Sequence, residues 1–82
     1  MTNAFYTTYF STEDGLAHAC DPTASFVVAV DAYAESRDDG YPAEVFLINL
    51  VRGTAETQTE RANRRVIKRC RDRSQDLPEW LT

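Results

Sequence analysis

The pattern of hydrophobic and polar positions changes its period along the chain, and it begins with two segments that have the residue types of β-strands. Residues 4–10 (AFYTTYF) are dense in aromatic and β-branched side chains, and residues 16–20 form a shorter extended segment. Asp14 and Gly15 between them are typical of a tight turn, because glycine accepts a positive φ. A short helix over 12–20 is the alternative, but the glycine inside it and the Asp-Pro directly after it argue against a helix. The pattern therefore predicts a β-hairpin.

A helical period follows over residues 21–39. Asp21 can cap free backbone N–H groups, and Pro22 suits the first helical position, where a missing N–H has no cost. Gly40 provides the stop. These residues predict one long helix from 21 to 39 with an apolar stripe toward the core. The stripe consists of Phe26, Val27, Val30, Tyr33 and Ala34.

The most hydrophobic stretch is the run from 45 to 51 (VFLINLV). It is too short for a core helix and does not alternate with polar residues, so it predicts an inner strand that is buried on both faces. Ile48 lies at its centre, and an Asp at this position is expected to unfold the protein. One helix covers only one face of such a strand. The second face would be covered by the C-terminal helix, by the Trp80 tail or by another copy of the chain, so a homodimer is one of three expectations.

The C-terminal third of the chain predicts a second helix and a hydrophobic end. Residues 55–59 allow a short edge strand, and Thr57 with Glu60 also forms a capping box for a helix over 58–73. Trp80 is expected to pack back on the body of the protein as a hydrophobic clasp. The apolar face of the second helix consists of Ala62, Val66, Ile67 and Cys70.

Together these elements predict an α+β fold in one small domain of 82 residues. Its order is a β-hairpin, a helix and an inner strand (ββαβ), and then a basic C-terminal helix. The sequence has no apolar run of about 20 residues and no signal-peptide pattern at its N-terminus. We therefore expect a cytoplasmic protein with no membrane partner, in which Cys20 and Cys70 are reduced thiols.

Residues suited to catalysis or to metal binding are few. His18 is the single histidine, and with Cys20 it makes the one pair of nucleophile and base worth naming. A strand histidine next to a buried thiol is the simpler explanation of the pair. The two cysteines also lack the paired C-x-x-C spacing of a zinc site. The sequence therefore predicts a protein that is not an enzyme and that uses no cofactor and no metal.

Charge is divided unevenly along the chain. Residues 1–60 hold ten acidic side chains against two basic ones, whereas residues 61–82 hold seven basic against three acidic. The acidic positions predict a surface that imitates a nucleic-acid backbone and fits the basic channel of a partner, with Tyr41 as an aromatic contact. An ordinary solvated helix face is the alternative. The candidate acidic residues are Asp31, Glu35, Asp38, Asp39 and Glu44.

The segment 61–73 gathers all seven of these basic side chains. Arginine suits phosphate contacts, so the helix is a candidate to bind nucleic acid directly. The alternative is that its arginines pair with acids of the same molecule or of a partner protein. Because the acidic body would repel a duplex, protein binding is the first expectation and nucleic-acid binding the second. The candidate basic residues are Arg61, Arg64, Arg65 and Lys68.

The layout of residues 4–51 resembles a class of known proteins. The aromatic hairpin with its Asp-Gly turn, the Asp21-Pro22 start of an acidic helix and the 45–51 strand are similar to small ββαβ proteins of phage and prophage accessory genes, among them the anti-CRISPR proteins. This resemblance implies a stoichiometric inhibitor that binds a type I CRISPR surveillance complex and blocks target DNA. The basic helix departs from a pure DNA mimic. A small nucleic-acid-binding regulatory protein that uses residues 61–73 is the alternative.

Overall fold

The structure, a computed structural model that describes residues 3–82, consists of a four-stranded antiparallel sheet and two α-helices. In chain order the elements are β1 (Ala4–Ser11), β2 (Ala17–Ala19), α1 (Phe26–Asp38), β3 (Ala43–Asn49), β4 (Thr54–Thr57) and α2 (Thr59–Asp72), followed by a 3₁₀ turn at Glu79–Leu81. Helix α1 packs on β1 and β3, and α2 packs on α1 and β3, so both helices cover the same face of the sheet. The predicted α+β class is confirmed.

The sheet has the strand order β2-β1-β3-β4, and successive side chains of each strand point to opposite faces. On the covered face the Tyr6 ring lies 5.3 Å from the Phe26 ring of α1, and the Thr8 hydroxyl donates to the Ala29 carbonyl oxygen at 3.0 Å. Val45 is the cross-strand partner of Thr8 and shares its face. We call the opposite side of the sheet the open face. It carries Phe5, Thr7, Tyr9 and Ser11 of β1, Ala17 and Ala19 of β2, Glu44, Phe46 and Ile48 of β3, and Ala55 and Thr57 of β4.

Helix α1 begins at Phe26, so the predicted start at Asp21 is wrong. The reason is a backbone pairing with β1: the Thr23 N–H donates to the Tyr6 carbonyl oxygen at 2.9 Å, and the Tyr6 N–H donates back at 2.7 Å. This pairing keeps the chain extended beyond Pro22. The N-cap is therefore Ser25, whose hydroxyl oxygen accepts from the Val28 N–H at 3.3 Å.

Strand β3 ends at Asn49, and the predicted extension to Val51 is wrong. The Asn49 side-chain oxygen accepts from the N–H groups of Val51 and Arg52, which turns the chain toward β4. Within one chain the predicted burial on both faces is wrong, because both helices lie on the side of Val45, and Ile48→Asp is therefore no longer expected to unfold the protein. Val45 is fully buried, whereas Ile48 pairs with Phe5 on the open face and is half-buried.

The hydrophobic core lies between the covered face of the sheet and the two helices. The C-terminal residues Trp80 and Leu81 pack against this core, which confirms the predicted hydrophobic clasp. The Trp80 ring meets the Tyr33 ring edge-on, with 5.5 Å between the ring centres. The buried apolar residues are Ala29, Val30, Tyr33, Val45, Ala62, Val66 and Cys70.

Two adjacent threonines of β1 give a prediction about buried hydroxyl groups. Thr7 and Thr8 are 3% and 1% exposed. The Thr8 hydroxyl donates to Ala29, whereas the Thr7 hydroxyl has no hydrogen-bond partner within residues 3–82. A buried polar group without a partner costs about 1–3 kcal/mol, and a satisfied one contributes about 1 kcal/mol. We therefore expect Thr7→Val to raise the free energy of unfolding by about 1 kcal/mol and Thr8→Val to lower it by about as much. Urea denaturation of both variants measures this difference, and shifts of the same sign would contradict it.

Candidate binding surface on the helical layer

A charged groove runs between α1 and α2 on the side away from the sheet. We call it the interhelical groove. Its two walls are joined by an ion pair in which the Arg69 guanidinium lies 2.6 Å from an Asp31 carboxylate oxygen. It encloses about 410 Å³ and holds four basic side chains against two acidic ones. The lining residues are Val27, Asp31, Arg65, Lys68, Arg69, Asp72 and Arg73.

The helical repeat of α2 explains why its basic side chains lie together along the groove. Its buried residues Ala62, Val66 and Cys70 are four positions apart and hold the helix on the core. The groove residues Arg65 and Arg69 each lie one position before a buried residue, so they form the adjacent stripe of the helix. The basic stripe therefore follows from the same spacing that builds the core.

Salt bridges neutralise only part of the charge in the groove. The Lys68 ammonium lies 3.0 Å from an Asp72 carboxylate oxygen one turn further along α2, and both groups are largely exposed. Exposed pairs of this kind contribute about 0–1 kcal/mol. The groove thus offers positive charge to an approaching anionic group.

Two of the predicted basic site residues lie outside the groove. The Arg61 guanidinium lies over the Phe26 ring at 3.9 Å from its centre and donates to the Tyr6 hydroxyl at 3.3 Å. Arg64 forms an exposed ion pair with Glu60 at 3.3 Å. Arg65 and Lys68 line the groove, and the structure adds Arg69 and Arg73 to them. The sequence analysis counted these two in the basic segment 61–73 but did not select them as site residues, although their distances of four and eight positions from Arg65 place them on the same side of the helix.

The predicted acidic face is only partly one surface. Asp31, Glu35 and Asp38 follow one another along an exposed stripe of α1, and Asp39 lies at its end. The prediction that Glu44 joins them is wrong, because Glu44 is the cross-strand partner of Tyr9 on the open face.

A shallow cavity of about 300 Å³ lies beside the acidic stripe, between α1 and the β1–β2 hairpin. Glu35 and Asp39 line it together with Tyr41. The half-buried Tyr41 ring stacks on Phe10 with 5.9 Å between ring centres, and Phe10 stacks on His18 at 5.2 Å. The Tyr41 ring thus stacks on an aromatic neighbour next to two carboxylates, a setting suited to an aromatic contact residue.

His18 and Cys20, the candidate base and nucleophile, each have neighbours of their own. Burial raises the pKa of the Cys20 thiol, and the carboxylates of Asp21 and Glu35 raise it further. The thiol is therefore protonated at neutral pH and a weak nucleophile. His18 stacks on Phe10, and its Nε2 lies 3.3 Å from the Thr12 hydroxyl.

The Asp38 end of the acidic stripe contacts Trp80 of the C-terminal segment. The Trp80 indole N–H donates to an Asp38 carboxylate oxygen at 2.8 Å, and the Arg37 guanidinium lies 5.4 Å from the centre of the indole ring. Of the acidic residues of α1, Asp31 is thus paired with Arg69 and Asp38 with Trp80. Glu35 and Asp39 form no ion pair with any described residue.

Comparison with known proteins identifies no relative: no protein-family model, curated protein sequence or solved structure matches this chain. Neither helix in residues 3–82 has the length and apolar character needed to cross a membrane. Within the same residues, no three His, Cys, Asp or Glu side chains come together in a way that could hold a metal ion.

Proposed function

We propose that the protein is a non-enzymatic binding protein that docks its helical layer on a nucleic-acid-binding protein complex and keeps nucleic acid out. The partner class is a type I CRISPR surveillance complex, and the protein acts as an anti-CRISPR inhibitor. The observation that carries the proposal is the arrangement of charge on one surface: the acidic stripe of α1 and the basic groove of α2 lie side by side and meet at the Asp31–Arg69 ion pair.

The acidic stripe provides the attraction to a basic channel. Glu35 and Asp39 are exposed and free of ion pairs with described residues, so their field extends into solvent. Complementary charge steers association and raises its rate by about 10- to 1,000-fold. Tyr41, stacked beside these carboxylates, supplies a rigid aromatic contact that slows dissociation.

The basic groove provides orientation. A protein that binds DNA lines its channel with basic residues, and an acidic region beside that channel would complement the groove. A surface with both signs of charge fits such a partner in one orientation, because the reversed orientation would bring like charges together. The groove therefore selects how the acidic stripe enters the channel.

The raised pKa of the Cys20 thiol supports a binding role over catalysis. A catalytic cysteine needs a neighbouring cation or base to stabilise its thiolate, whereas Asp21 and Glu35 place negative charge near this thiol. His18 in turn is engaged with Phe10 and Thr12.

A second candidate function is direct binding of nucleic acid. The observation that favours it is the set of four basic residues in the interhelical groove, which could neutralise several phosphates. In this case the protein is a small nucleic-acid-binding regulatory protein, and its affinity falls steeply as salt is raised.

Paired charge reversals separate the two functions. We expect the double variant Glu35→Lys with Asp39→Lys to associate about tenfold more slowly with the surveillance complex, with a smaller change in its dissociation rate. The double variant Glu13→Lys with Glu56→Lys changes net charge equally at exposed residues outside the stripe and should associate almost as the parent does. Surface plasmon resonance at two salt concentrations measures both rates.

Direct DNA binding by the interhelical groove is tested with a groove variant and a matched control. Under the second candidate function, Arg65→Glu with Lys68→Glu abolishes binding to bare DNA, whereas Arg52→Glu with Arg71→Glu weakens it only slightly. If the parent binds DNA at physiological salt and the surveillance complex binds the acidic-stripe variant as it binds the parent, the inhibitor function is wrong.

A further inference from the structure

The open face of the sheet is hydrophobic at its centre and almost without charge. Phe5 and Ile48 are cross-strand neighbours, and Thr7 is the neighbour of Phe46. The Phe46 ring packs edge-on against Tyr9 with 5.6 Å between ring centres, and Tyr9 is 39% exposed. An aromatic and aliphatic patch thus crosses the two central strands on the side that neither helix covers.

The single ionic side chain at the open-face positions of the strands is Glu44. It lies near the start of β3, directly after Pro42 and Ala43, and so at one end of the patch. A hydrophobic centre with a polar rim is the usual composition of a protein–protein interface.

Charge excludes nucleic acid as the occupant of this face. Sheets that bind single-stranded nucleic acid stack nucleobases on aromatic side chains. They hold the phosphates with neighbouring basic side chains such as Arg. None of the open-face positions in the four strands is Lys or Arg, and Glu44 would repel phosphate. The basic residues of the chain lie instead on α1, on α2 and at its C-cap, and in the β3–β4 turn.

The dimensions of the molecule match a face-to-face dimer. The protein is flat, measuring 40 × 33 × 16 Å. The broad side has an outline of about 1,000 Å², which the sheet shares with the loops at its ends, and a stable interface takes about 800 Å² from each partner, so the loops beside the sheet belong to the interface as well. A chain of 82 residues also has a small core of its own, so burial of a second sheet face adds substantially to its stability.

We propose that the open face binds a second copy of this chain through a two-fold axis. The two sheets pack about 10 Å apart, as in a β-sandwich, with the helices on the outside of both. An uncharged apolar face is self-complementary, which a two-fold interface requires. The dimer leaves the acidic stripe and the interhelical groove accessible on each outer side. The proposal does not depend on the proposed function.

Sedimentation equilibrium of the parent and of two matched variants tests the dimer. We expect the parent to have twice the chain mass of 9.3 kDa. Ile48→Asp places a carboxylate in the patch and should weaken dimerisation by at least about 100-fold, because a charge buried without a partner costs several kcal/mol. Val28→Asp makes a similar change on α1, where Val28 is 52% exposed, and should remain dimeric.

A second open-face variant keeps the dimer test valid if Ile48→Asp fails to fold. Tyr9 is more exposed than Ile48, so Tyr9→Glu should give a folded monomer even if Ile48→Asp does not fold. A parent that remains a monomer at high micromolar concentration overturns the proposal. The proposal is also overturned if the variants Ile48→Asp and Tyr9→Glu still form dimers. A parent that stays monomeric and binds neutral lipid vesicles through this face would overturn it as well.

Discussion

Replacing Val45 with Asp is expected to unfold the protein at 25 °C. Val45 is fully buried between β1 and the helical layer, next to the Thr8 position that contacts α1. A carboxylate there loses its hydration, and the lost apolar contacts add to the cost. Together these effects exceed about 5 kcal/mol, whereas a domain of this size has a total stability of about 5–15 kcal/mol. Far-UV circular dichroism should show loss of helix and sheet.

The matched control is Ile48→Asp, in the same strand three positions away. Its side chain points to the open face, so in the monomer the introduced carboxylate stays in contact with water. This variant should retain the circular dichroism spectrum of a folded protein, with some loss of stability. A Val45→Asp variant that melts like the parent would contradict the assignment of the covered face.

Truncation of Trp80 to Ala is expected to lower the free energy of unfolding by about 2–3 kcal/mol. The indole packs edge-on against Tyr33, lies beside the Arg37 guanidinium and donates a hydrogen bond to Asp38. For a domain of this size the loss lowers Tm by roughly 10–20 °C. The protein should stay folded at room temperature, because the fully buried residues of the core remain in place.

Two further variants show which contact of Trp80 matters. Trp80→Phe keeps an aromatic ring but removes the indole N–H together with the five-membered part of the ring system, so its loss should be about 1–2 kcal/mol, from the hydrogen bond and from some lost packing. Leu77→Ala is the control within the same tail: Leu77 is 40% exposed and should cost less than about 1 kcal/mol. Equal losses for Trp80→Ala and Leu77→Ala in urea denaturation would show that the tail is not a clasp.

The α+β class and the C-terminal clasp could be predicted from the sequence, because local propensity and hydrophobic periodicity report on them directly. The start of α1 could not. Asp21 and Ser25 are both good N-caps, and the choice is made by the backbone pairing of Thr23 with Tyr6, which is a tertiary interaction. Local capping and periodicity signals do not show a backbone pairing between residues so far apart in the chain.

The error at Ile48 has a similar physical origin. An unbroken apolar run shows that a strand is hydrophobic on both sides, but it does not show whether both sides are covered by the same chain. In this fold the second helix joins the first on the side of Val45, which leaves Ile48 on the open face. The hydrophobic pattern is thus explained by one face in the core and one apolar face that neither helix covers.

The candidate binding surface could be predicted only in its parts. The acidic positions of α1 and the basic positions of α2 follow from helical spacing. Their meeting at Asp31 and Arg69 depends on how the two helices pack against each other, which also brings Arg73 into the groove. Spacing within one helix cannot give that geometry.

A competition experiment with a purified type I CRISPR surveillance complex and labelled target DNA tests the inhibitor function most directly. We expect the protein to co-elute with the complex and to abolish DNA binding once one molecule has been added for each complex. The variant with Glu35→Lys and Asp39→Lys should then need a longer incubation to reach the same inhibition. A complex that binds its target equally well in the presence of a large excess of the protein would contradict the account.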